Sequence, residues 1–329
     1  MSTEGPVRLD RGAFVMSIDT EMAWGVVHHG SIGRYSYSND EQFTERDVIA
    51  ALLELFDRYE IHATWAIVGH LFLEDCESVD GRKHPEIVRP DYPWFEGDWF
   101  DADPATDAAT DPMWYGPDIV EAIRTCPTYQ EIGSHTFSHI IVGDPGCTAE
   151  NLRSDLAACR KLADGRGIAL RSFIHPRNKI GHVDILADEG FTAFRGKRPI
   201  SFSGYPRAVK RMLGALDTIW PMSGSAVYPR RVAGLWDLPA TNLYSPGNRR
   251  RIPLPIGWYN RQQIRRLRQA VRHRGLFHLW FHSHNFTADP ETALRGFEEI
   301  LQEAARLRAA GMLENPTMAQ LAERLNVTT

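Results

Sequence analysis

The residues of this 329-residue chain that could do chemistry fall in four short clusters. Two carboxylates, Asp19 and Glu21, leave the end of the apolar run 13–18 (AFVMSI), and in an extended chain positions i and i+2 share a face. His135 and His139 follow the short run 131–133. On a first helical turn their i, i+4 spacing would put both imidazoles on one side, at a separation that one divalent metal can bridge. His175, Arg177, Asn178 and Lys179 share a loop shaped by Pro176 and Gly181, suited to offering side chains and N–H groups to an anion or a developing oxyanion. His282 and His284 close the most apolar run of the chain, 276–281 (LFHLWF). Each cluster alone has a plain alternative: a helix cap, a chance histidine pair, a connecting loop, or buried hydrogen-bonded histidines. Together they are a set. A metal held by two imidazoles and one carboxylate keeps an open position for water, and a further carboxylate and imidazole can act as base and acid, which is the equipment of metal-assisted hydrolysis.

Alternating strands and helices position these clusters. Residues 13–18 read as a buried strand, Thr44 caps a helix with Val48, Leu52, Leu55, Phe56 and Tyr59 on one face, and 62–68 resumes as a strand. A strand at 131–133 leads to a helix capped by Thr148 and carrying Leu152, Leu156, Cys159 and Leu162. A strand over 168–174, a helix over 183–189 stopped at Gly190 and a strand over 191–194 continue the pattern. An arginine-rich helix over 262–273, the strand 276–281 and a helix opened by Pro290 and stopped at Gly311 complete it. Such alternation predicts an α/β fold with a mostly parallel sheet, open or closed into a barrel, whose strand carboxyl ends hold the active site. Two stretches break the rhythm, 73–117 and 200–258. The first is rich in Asp, Pro and aromatics, including Trp94, Phe95, Trp99, Phe100, Trp114 and Tyr115, and reads as a functional loop or lid.

Composition narrows the field. A chain with 43% hydrophobic and 24% charged residues supplies an ordinary core and should bury roughly three quarters of its extended surface, which excludes disorder as a whole. A net charge of −5 gives no reason to expect a nucleic-acid binder, so a small-molecule or oligosaccharide partner is the expectation. Four widely spaced cysteines, Cys76, Cys126, Cys147 and Cys159, form neither a disulfide framework nor a zinc-knuckle pattern and read as structural thiols. With charges near the start and no long apolar run, the expectation is a cytoplasmic protein without a membrane span. Arg261, Arg265, Arg266, Arg268, Arg272 and Arg274 read as a solvated helix face rather than a phosphate site.

In order and spacing the four clusters resemble the polysaccharide deacetylases of carbohydrate esterase family 4, over about residues 13 to 286. The resemblance implies a distorted (β/α)7-type barrel, one catalytic domain spanning 1–329 with a core of about 13–310 and insertions at 73–117 and 200–258. The family's first motif usually reads TFDDG, and its first Asp, the catalytic base, falls on Asp19. Thr20 stands at the second, metal-binding position, and by similarity to members with an Asp-x-Asp or Asp-x-Glu form the carboxylate ligand becomes Glu21. His135, Thr136 and His139 meet the HxxxH motif, which makes the two histidines the imidazole ligands. The third motif, RxPxG, is met only at Pro176: Ile174 replaces the Arg, and Asn178 with Lys179 stand where the Gly would fall. Arg177 and Arg195 are the substitutes for the Arg that the resemblance implies would orient the base, while His175, Arg177 and Asn178 remain candidates for the substrate and oxyanion site. His282 matches the general acid, with His284 competing for the role.

The implied cofactor is a divalent metal, zinc before cobalt, nickel or manganese, and the implied reaction removes an acetyl or other N-acyl group from an amino sugar. Aromatics in the insertions suit sugar recognition, with half of them serving the core instead. Hydrolysis of a cyclic amide or ureide, or carbohydrate binding without reaction, are the competing expectations. Because three protein ligands are the minimum for such a site, His135→Ala should lose the metal of that site, read as metal content against the parent, both purified without chelator.

Overall fold

The computed structural model describes residues 3–29, 44–198, 226–246 and 255–328, with positions 205, 206, 209 and 212. The expected run 13–18 belongs to strand β1 (Gly12–Thr20), buried at all nine positions. It lies between two parallel neighbours, β2 (Thr64–Ile67) and β11 (Leu276–His282). Strands covered on both faces read as continuous apolar runs, which is why these segments stand out in the sequence. From β2 the sheet continues in parallel through β5 (Glu131–Ser134), β6 (Ser172–Phe173) and β7 (Ala193–Phe194) to β9 (Leu235–Asp237). The strand expected over 168–174 is thus reduced to two residues.

Seven strand positions close into a ring. β9 pairs with β7, β10 (Asn242–Leu243) pairs with β11, and the connecting residues bond to both sides. The Leu238 N–H donates to Phe194 O at 3.0 Å and Ala240 to Gly196 O at 2.8 Å, whereas Thr241 donates to His278 O at 2.8 Å. The stretch 235–243 is therefore the barrel stave between β7 and β11, although it lies inside the segment 200–258 that the sequence reading treats as an irregular insertion. Interruption by Pro239 and shared pairing deny it a simple alternation. An edge strand, β8 (Arg230–Val232), runs antiparallel to β9, a two-residue strand β12 (Leu313–Glu314) joins β1, and β3 (Ser78–Val79) with β4 (Arg82–Lys83) form a separate hairpin in the 73–117 insertion.

Seven helices are described: α1 (Glu45–Arg58), α2 (Pro117–Arg124), α3 (Ala149–Asp164), α4 (Val183–Asp188), α5 (Ile256–His273), α6 (Pro290–Ala309) and α7 (Met318–Thr328). Thr44 and Thr148 cap α1 and α3 in reciprocal boxes with Asp47 and Asn151. Alternation along β1 sorts its side chains: Phe14, Met16 and Ile18 join the large core under the helices, while Ala13 and Val15 face a smaller cluster with Ala66, Ile174 and Trp236. Met318, Leu321 and Leu325 of α7 pack into that smaller cluster. The Glu131 carboxylate anchors α7 by accepting from the Ala319 N–H at 3.1 Å, at the end of a helix where N–H groups lack partners. With α7 packed there, the carboxyl ends of the parallel strands are left to the polar clusters.

Glu303 of α6 joins the outer helices, accepting from Arg306 and from Arg268 of α5 at 2.8 Å. Hydrogen bonds from Arg306 and then Arg268 outweigh burial and hold its pKa down to about 2. A depressed carboxylate stabilises the fold above its unfolded pKa and loses that contribution as pH falls through the folded value. Because both guanidinium groups are more than half exposed, Glu303→Gln should cost only about 1 kcal/mol at pH 7. The difference from the parent, measured by urea unfolding, should close as pH falls from 4.5 toward 2.

Candidate active site

The register of β1 against β11 sets Asp19 directly opposite His282. Glu21 leaves β1 two residues later, and its Oε1 lies 3.0 Å from His135 Nε2, 3.2 Å from His139 Nε2 and 3.5 Å from His282 Nε2. Asp19 Oδ2 is 3.7 Å from His282 Nε2. Five of the residues singled out in the sequence, Asp19, Glu21, His135, His139 and His282, thus converge at three strand ends. The histidine pair, however, is not on a helical turn. Its loop leaves β5 irregularly, with Thr136 at φ 64° and His139 at φ 59°.

That loop is shaped by Asp155, a residue of α3 that sequence reasoning missed. Its carboxylate accepts from the N–H of Phe137 at 2.5 Å and of Ser138 at 3.2 Å, and from the Ser138 hydroxyl at 3.0 Å. Burial dominates these bonds and lifts the Asp155 pKa to about 7. The signal was present in the sequence: Asp155 falls on the apolar face defined by Leu152, Leu156 and Cys159.

The donor set fits a divalent ion. His135 Nδ1 faces the carbonyl of Ile174 at 2.8 Å, which can only accept, so Nδ1 carries the proton and Nε2 offers a lone pair toward Glu21. His139 Nε2 meets the same carboxylate oxygen, so two imidazoles and a carboxylate aim at one point, and their ligand atoms lie within 4.8 Å of one another. Burial raises and His282 and the ligand histidines lower the Glu21 pKa, which ends well below the usual carboxylate range. Burial likewise disfavours charged His282, but Glu21 and Asp19 outweigh it and lift its pKa to about 9.

Arg195, at the exit of β7, is the arginine that meets Asp19. It donates from Nη1 to Asp19 Oδ1 at 2.5 Å and from Nη2 to Oδ2 at 2.7 Å, a bidentate pair that excludes water almost completely. The same guanidinium donates to Ser17 Oγ at 3.1 Å and Asn178 Oδ1 at 3.0 Å, and lies 4.2 Å from the centre of the Trp280 ring. Burial would raise the Asp19 pKa, yet Arg195 outweighs it and holds the carboxyl below its ordinary value. Below this pair, His278 bonds Ser17 Oγ and Leu238 O at 2.9 Å each, a second contribution that the sequence reading missed.

The other candidates are placed differently. Arg177 does not meet Asp19; its guanidinium lies 4.9 Å from the Trp94 ring centre. His175 is 1% exposed, its Nε2 lies 3.1 Å from Gly181 O, and its ring packs against Phe173 and Phe194, so the structure gives it to the turn rather than to an open face. Burial holds it neutral, with a pKa of about 3. His284 stacks on His282 with centroids 4.8 Å apart, and burial followed by the charge of His282 lowers its pKa to about 4.

Similar folds occur among solved structures. A Mycobacterium smegmatis protein assigned as a polysaccharide deacetylase superposes with a TM-score of 0.63 at 13% identity, covering 99% of this chain and 95% of its own. A Pseudomonas aeruginosa PAO1 protein similarly assigned gives 0.53 at 12% identity, covering 94% of this chain and 89% of its own. Puue allantoinase gives 0.52 at 11% identity, covering 96% of this chain and 90% of its own. No family model matches the sequence, and no curated protein does. The chain shares the fold of these polysaccharide deacetylases and of the allantoinase.

Removing one partner of a buried ion pair leaves the other uncompensated. Arg195→Ala should destabilise the protein by about 3–5 kcal/mol in denaturant unfolding, whereas Arg177→Ala should change stability by less than about 1 kcal/mol.

Proposed function

We propose that this chain is a metal-dependent hydrolase that removes an acetyl or other N-acyl group from an amino sugar or a related carbohydrate, as a small molecule or an oligosaccharide. The convergence of Glu21, His135 and His139 beside the Asp19–Arg195 pair and His282 carries the reading. Glu21, His135 and His139 would hold a divalent ion, zinc before cobalt, nickel or manganese. Such an ion supplies Lewis acidity toward an acyl carbonyl and water. Asp19, kept ionised by Arg195, accepts a proton from the attacking water as its oxygen bonds to the acyl carbon. His282 donates a proton to the nitrogen as the C–N bond breaks, so the products are a carboxylate and a free amine. Arg195 acts through Asp19 by fixing both carboxylate oxygens.

Trp94 supports a carbohydrate substrate. It is 42% exposed beside the Arg177 loop, and an exposed indole supplies apolar area with a polar handle for a sugar. A second reading, hydrolysis of a cyclic amide or ureide, draws on the fold shared with an allantoinase. The same base and acid would serve that C–N bond.

Release of acetate from N-acetyl sugars, nucleotide-sugars and chito-oligosaccharides, assayed beside ring opening of cyclic ureides, separates the two. Asp19→Asn should keep its metal and lose activity by about 10²–10⁴-fold. An active Asp19→Asn protein would refute the division of roles, and bound metal without turnover on any of these substrates would favour a binding protein.

A further inference from the structure

Four side chains that the proposed reaction does not use meet at the base of the 73–117 insertion. His70 stands in the turn Gly69–Phe72 that follows β2, and Cys76, His84 and Asp103 come from the insertion itself. Their ligand atoms all lie within 4.8 Å of one another. We infer that His70, Cys76, His84 and Asp103 form a second metal centre, a four-ligand structural zinc site that ties the insertion to the barrel.

The geometry fits. Asp103 Oδ2 lies 3.2 Å from His70 Nε2 and 3.0 Å from His84 Nε2, while Cys76 Sγ lies 3.7 Å from His70 Nε2 and 3.6 Å from Asp103 Oδ2. Zinc with bonds of about 2.3 Å to sulfur and 2.0–2.1 Å to nitrogen or oxygen gives tetrahedral edges of roughly 3.3–3.6 Å. One thiolate, two imidazoles and one carboxylate would fill all four tetrahedral positions, whereas a catalytic zinc keeps one open.

Protonation points the same way. His70 Nδ1 faces the carbonyl of Trp114 at 3.0 Å, so Nδ1 must donate and Nε2 presents a lone pair to the Asp103 carboxylate. A lone pair and a carboxylate oxygen facing each other at 3.2 Å are reconciled by a cation between them. The remaining ligand atoms are also oriented from behind. Tyr115 Oη, which accepts from the Thr106 N–H at 2.9 Å, has its proton free for Cys76 Sγ at 3.2 Å, and Asp103 Oδ1 accepts from the Ala105 N–H at 3.0 Å. Outer partners of this kind fix ligand orientation at metal sites. A cavity of about 620 Å³ lined in part by Cys76 and His84 supplies an entry path.

The centre would brace the catalytic cluster from outside. The His70 ring is 4.7 Å from Trp24, three residues after Glu21, and 5.6 Å from Phe137, which stands between the two ligand histidines. In an insertion whose described strands are only two residues long, a metal would add fixed geometry to the aromatic packing that joins it to the main core.

The test is metal content by mass spectrometry of protein loaded with zinc and desalted. We expect two equivalents in the parent and one each in Cys76→Ser and His135→Ala. With cobalt in place of zinc, thiolate-to-cobalt charge-transfer absorption should appear in the parent and in His135→Ala and vanish in Cys76→Ser, because the catalytic cluster contains no sulfur. Should Cys76→Ser fail to fold, iodoacetamide labelling of the parent decides: zinc should protect Cys76 and a chelator expose it. A parent holding only one equivalent, with none left in His135→Ala, no charge-transfer band, or labelling of Cys76 indifferent to zinc would overturn the site, whatever the hydrolytic assays show.

Discussion

Asp19 is 2% exposed and Arg195 1%, and the rest of the site depends on how these two charges share the mouth of the barrel. A carboxylate removed from water is costly unless its charge is met and its lone pairs are occupied, and the fork of the guanidinium does both. The requirement reaches further down. Arg195 needs Ser17 and Asn178 for its other N–H groups, Ser17 is bonded by His278, and His278 reaches Leu238 on the stave that closes the ring. A stack of polar groups therefore runs along the barrel interior, where a low dielectric strengthens each satisfied bond and penalises each missing one. The register of β1 with β11, and the closure through 235–243, are what bring its members into line.

The upper rim is built differently, by loops whose backbone would otherwise be unsatisfied. Asp155 takes the N–H groups of the histidine loop, and the Trp99 indole donates to Ser138 O at 2.9 Å. Trp99 also lies flat against His28 at 3.4 Å, so the insertion closes one wall of the site through aromatic contact. Within it Trp99, Phe100 and Tyr115 are buried and Trp94 is open, so the run of aromatics divides between core and surface.

Much of this was legible beforehand. Apolar runs marked β1 and β11, Thr44 and Thr148 marked helix starts, and the polar clusters stood at strand ends where a parallel sheet places its chemistry. Other features were hidden by their local pattern. The stave 235–243 contains Pro239 and pairs with a different neighbour in each half, so no period survives. Helix α7 lies beyond the clusters that drew attention. A helical turn suited the spacing of His135 and His139, but the bonds to Asp155 hold an irregular loop instead. Cys76 looked like an ordinary thiol because its neighbours His70, His84 and Asp103 follow no short ligand motif.

The sequence by itself determined which residue types stand at the ends of which strands, because apolar runs and turn residues are local and period-2 alternation places Asp19 and Glu21 together. Only the tertiary structure decided which of them meet. Arg195 rather than Arg177 pairs with Asp19 across 176 positions, and Glu21 reaches His135 across 114, contacts set by strand register and ring closure. Spacing along a chain carries information about neighbours on one element, whereas the partner of a buried charge is chosen by whichever donor the folded barrel brings to its two oxygens.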